Sequence, residues 1–90
     1  MSKLEECTEH LLLLAASSTS TGRLAGRAGV LAGDYWDLFD DDQRQQFGEW
    51  LETVRADSLR PVFGPGMKDK LRMIEVVLGA ADALKRKASP

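Results

Sequence analysis

The chain has 90 residues, 43% of them hydrophobic and 29% charged, with a net charge of −2. That composition describes one small globular domain with a modest core and excludes an intrinsically disordered chain. One cysteine excludes an internal disulfide, one cysteine with one histidine excludes a Cys/His tetrahedral zinc site, and the longest unbroken apolar run, Leu11 to Ala16, is too short to span a bilayer. Acids follow at Glu5 and Glu6 where a secretory signal needs apolar residues, so the expected setting is reducing, intracellular and cytoplasmic.

Apolar residues recur at helical spacing, and no period-2 run or hairpin turn marks a strand. A first helix is predicted over about residues 2–16, with Ser2 and Glu5 spaced as a capping box. Leu4, Cys7, Leu11 and Leu14 form its stripe. Leu12 and Leu13 widen that stripe, which implies contacts on two sides. The hydroxyl run Ser17 to Thr21 suits a turn or an N-cap.

A second helix is predicted over about residues 21–32. Gly22, Gly26, Gly29 and Gly33 share one face of it. Each interior glycine costs about 1 kcal/mol of helix propensity, which close packing of another backbone offsets. Gly33-Asp34 is expected to end or kink this helix, leaving Tyr35 to Phe39 as a helical turn or ordered loop.

The third helix is predicted over residues 40–58. Asp40 and Gln43 are spaced as a capping box, Phe39 stands as the staple residue before it, and the acids complement the helix dipole. Phe47, Trp50, Leu51 and Val54 give the clearest amphipathic stripe in the chain.

Pro61 to Gly66 reads as a Pro/Gly connector in which Phe63 plugs the core. The last helix is predicted over residues 67–86, before a frayed tail at 87–90. It carries two apolar stripes. Leu71, Ile74, Val77 or Leu78, Ala81 and Leu84 form one; Met73, Val76, Ala80 and Ala83 form the other, at coiled-coil spacing. The second is the expected homodimer surface. The whole reads as a single all-α domain over residues 1–90, a bundle of about four helices.

Five of the six aromatic residues fall between Tyr35 and Trp50, interleaved with acids. Residues 34–57 hold eight acids and two arginines, whereas residues 58–90 hold seven bases and three acids. These segments either neutralise each other in the fold or face different partners. Catalysis has one nucleophilic route, Cys7 with His10 three residues on, and it lacks an oxyanion-hole signature. The aspartates do not match an EF-hand loop, and no cofactor motif is present. The basic residues Arg60, Lys68, Lys70, Arg72, Lys85, Arg86 and Lys87 could touch phosphates, but an isoelectric point near 5.3 disfavours nucleic acid.

The expected function is therefore non-enzymatic: a small regulator or inhibitor, of the phage-encoded or nucleic-acid-mimicking kind, docking an acidic and aromatic face onto a basic surface of another protein. Asp34, Asp37, Asp40, Asp41, Asp42 and Glu49 would pair with bases, and Tyr35 and Trp36 would supply apolar contact. Assembly by homo-oligomerisation and nucleic-acid binding through the basic last helix are the alternatives.

Overall fold

A computed structural model describes residues 2–17, 23–58 and 67–88. It is a small all-α bundle of four helices, α1 (Lys3–Ser17), α2 (Leu24–Trp36), α3 (Asp41–Ser58) and α4 (Met67–Ala88), with no strand among the described residues. The hydroxyl run beyond Ser17, Gly22, Arg60, the Pro/Gly connector with Phe63, Ser89-Pro90 and the side chain of Lys68 lie outside what is described. No helix among the described residues is long and apolar enough to cross a membrane.

α1 starts where Ser2 Oγ accepts the Glu5 N–H at 3.1 Å, satisfying one orphan donor of the first turn. Cys7, Leu11 and Ala15 face the core, as their spacing requires. Leu12 and Leu13 remain 43% and 61% exposed, so the widened part of the stripe stays uncovered, while α1 packs against both α2 and α4.

α2 and α4 form the most extensive contact and run in the same direction. The seam consists of small residues. A Cβ on Gly29 would meet the Gly79 carbonyl oxygen at 3.3 Å and Ala83 Cβ at 3.9 Å, and one on Gly33 would meet Lys87 Cε at 3.6 Å. A Cβ on Gly79 would fall 2.7 Å from the Cα and carbonyl carbon of Ala25, and closer still to its oxygen. Backbone thus touches backbone at Gly79, a residue the sequence reading passed over. Gly26 does not share this role, since nothing lies within 4 Å of its added Cβ.

That packing explains why α2 does not stop at Gly33-Asp34. Ala28, Gly29, Ala32 and Gly33 are buried, and burial of this face outweighs the weak helix propensity of glycine. Of the two expected forms for this segment, Tyr35 and Trp36 take the helical one, as the last residues of α2.

The last helix also turns the other way from the expected one. Val76, Ala80 and Ala83 are 0%, 0% and 5% exposed inside this one chain, and Met73 packs against the core beside them. They cannot serve a second copy while the bundle is folded, which corrects the expected dimer surface. The first stripe divides: Leu71, Leu78 and Ala81 are exposed, with Leu71 at 50% and Leu78 at 54%, whereas Val77 is buried and Leu84 packs against the core.

Candidate functional site: the α2–α3 corner

The acidic and aromatic run forms a tight corner between two antiparallel helices. Leu38 N–H donates to the Tyr35 carbonyl at 2.9 Å and Phe39 N–H to the Trp36 carbonyl at 3.2 Å, closing the last turn of α2 with i→i+3 bonds. Asp40 then begins α3 through a reciprocal capping box. Gln43 N–H donates to Asp40 Oδ1 at 2.8 Å, and Asp40 N–H donates to Gln43 Oε1 at 3.0 Å. Only Asp37 to Asp40 separate the two helices.

The rings fix the corner from inside. Phe39 is 5% exposed and meets fully buried Phe47 edge to face, centroids 5.5 Å apart. It reaches one turn past the position a hydrophobic staple uses, because the residue there is Arg44. Phe47 stacks on Trp50 at 6.0 Å, and Phe39 meets Tyr35 at 6.2 Å. The Tyr35 hydroxyl shares a 3.3 Å hydrogen bond with His10 Nδ1, tying α2 to α1. The Arg44 guanidinium lies 5.1 Å over the Trp36 ring, and its Nε–H donates to the Trp36 carbonyl at 3.2 Å. Tyr35 and Trp36 are therefore half-buried structural residues more than free anchors.

The acids divide by role. Asp40 caps α3, and Asp37 accepts the Lys87 ammonium at 2.8 Å, so the acidic middle and the basic end meet at this point. Asp34, Asp41 and Asp42 are exposed around the corner. Glu49 is exposed two turns along α3, where Gln45 Nε2 donates to its Oε1 at 3.4 Å. Among the described residues no three acidic, histidine or cysteine side chains converge on a metal-sized site.

Leu38 was not among the expected contacts. It is 60% exposed at the apex, with Asp37 on one side and Asp40 to Asp42 on the other. A lone leucine in an acidic run gives little periodic signal. The clue was negative: Phe39 has a core task one residue later, so Leu38 must point elsewhere.

The other candidate chemistry separates in space. Cys7 is fully buried, and burial pushes its thiol up to about 12. The thiolate is then a minor form near neutral pH, while exposed His10 engages Tyr35. Of the bases, Lys70 donates to the Asp57 carbonyl at 3.0 Å, Arg86 lies 3.4 Å from Asp82, and Lys87 pairs with Asp37. No family model, curated protein or solved structure matches the chain.

Proposed function

We propose that this chain is a non-enzymatic protein-binding module, a small regulator or inhibitor that docks the α2–α3 corner onto a basic surface of a partner protein. One observation carries the reading: Leu38 stands 60% exposed on a corner whose every backbone turn is hydrogen bonded. An apolar side chain held this way loses little entropy on binding, and the aspartates around it favour a basic partner and speed the encounter. Imitation of a nucleic-acid backbone draws less support, because Lys87 and Arg44 interrupt the carboxylate array.

The test is affinity capture from the native host with the wild type, Leu38→Ser, and Asp41→Lys combined with Asp42→Lys. Both variants should lose the same protein. A protein held equally by all three would sink the reading. Homo-oligomerisation is the second reading, favoured by the exposed outer face of α4 at Leu71 and Leu78. Nucleic-acid binding is weaker, since Lys70, Arg86 and Lys87 each lie against an oxygen of this chain. A low-salt filter-binding assay checks it directly.

A further inference from the structure

We draw no further inference here: the strongest candidate, the apolar groove between the end of α2 and the outer face of α4, lined by Trp36, Leu78 and Leu84 with Asp82 and Lys85 balancing in charge, has nothing in the structure to show what covers it.

Discussion

The two ends of α2 solve opposite problems. Its body meets α4 through residues that have almost no side chain, so that Ala25, Gly29 and Gly33 lie against Gly79, Ala83 and Lys87. Its end turns into α3 through residues rich in side-chain chemistry, where nearly every ring and several carboxylates have a local structural task. At the seam, packing leaves no room for an added methyl at Gly79. At the corner, structure consumes most of the conspicuous residues and leaves one plain leucine outward. Chemical richness is thus a poor guide to a docking surface, because rings and acids are also what a four-residue helix reversal needs.

The seam gives the largest expected effect. Gly79→Ala places a methyl 2.7 Å from Ala25 backbone atoms, so the helices must separate. The expected cost is about 3 kcal/mol or more, roughly 15 °C in Tm for a domain of this size, read by thermal or urea unfolding. Gly26→Ala should act with the opposite sign. Nothing lies within 4 Å of its added methyl, so the gain in helix propensity, about 1 kcal/mol, should appear as stabilisation. Equal effects of the two substitutions would show that the seam is not where the glycines matter.

What the sequence makes legible divides along the same line. The Asp40–Gln43 spacing and the Phe47, Trp50, Leu51, Val54 stripe are local patterns, and the structure contains both. The choice between the two stripes of α4 is not local. Both are apolar at helical spacing, and periodicity alone cannot rank them. The physical discriminator is Gly79: only the face beside it can approach the bare face of α2, so Val76, Ala80 and Ala83 go inward and Leu71 and Leu78 outward. Matching the small residues at 79 and 83 with those at 25, 29 and 33 would have found it. Gly33 misleads for the same reason, since its propensity cost is visible in sequence and its burial is not. At the corner, the expected acids sit together, but Tyr35 and Trp36 are taken up by His10, Phe39 and Arg44, partners distant enough in sequence or function to be invisible there.

The corner's acids offer the next contrast. Asp40→Ala removes a cap bond of 2.8 Å and should cost about 1 kcal/mol. Asp41→Ala and Asp42→Ala, both exposed in the first turn of α3, should cost less, about 0.3–1 kcal/mol through the helix dipole and less still at high salt. In the capture assay the ranking should reverse, with Asp41 and Asp42 mattering more than Asp40. Loss of partner binding confined to Asp40→Ala would make the corner's shape, not its charge, the recognised feature.

The smallest effect decides whether seam and corner are one device. Lys87 belongs to both: its Cε packs near the bare face of Gly33, and its ammonium holds Asp37 at 2.8 Å. Both partners are substantially exposed, so the pair should contribute no more than about 1 kcal/mol. A double-mutant cycle with Lys87→Met and Asp37→Asn separates the charge from the packing, since methionine keeps most of the aliphatic stem. The expected coupling is about 0.5 kcal/mol in low salt and near zero in 1 M salt. If the coupling persists in 1 M salt, the pair is shielded, and strain at the Gly33 end of the seam is passed to the turn that carries Leu38. If it vanishes, the capping box and the Phe39–Phe47 contact position the corner by themselves. Seam variants such as Gly29→Ala should then change stability while leaving Leu38-dependent binding untouched.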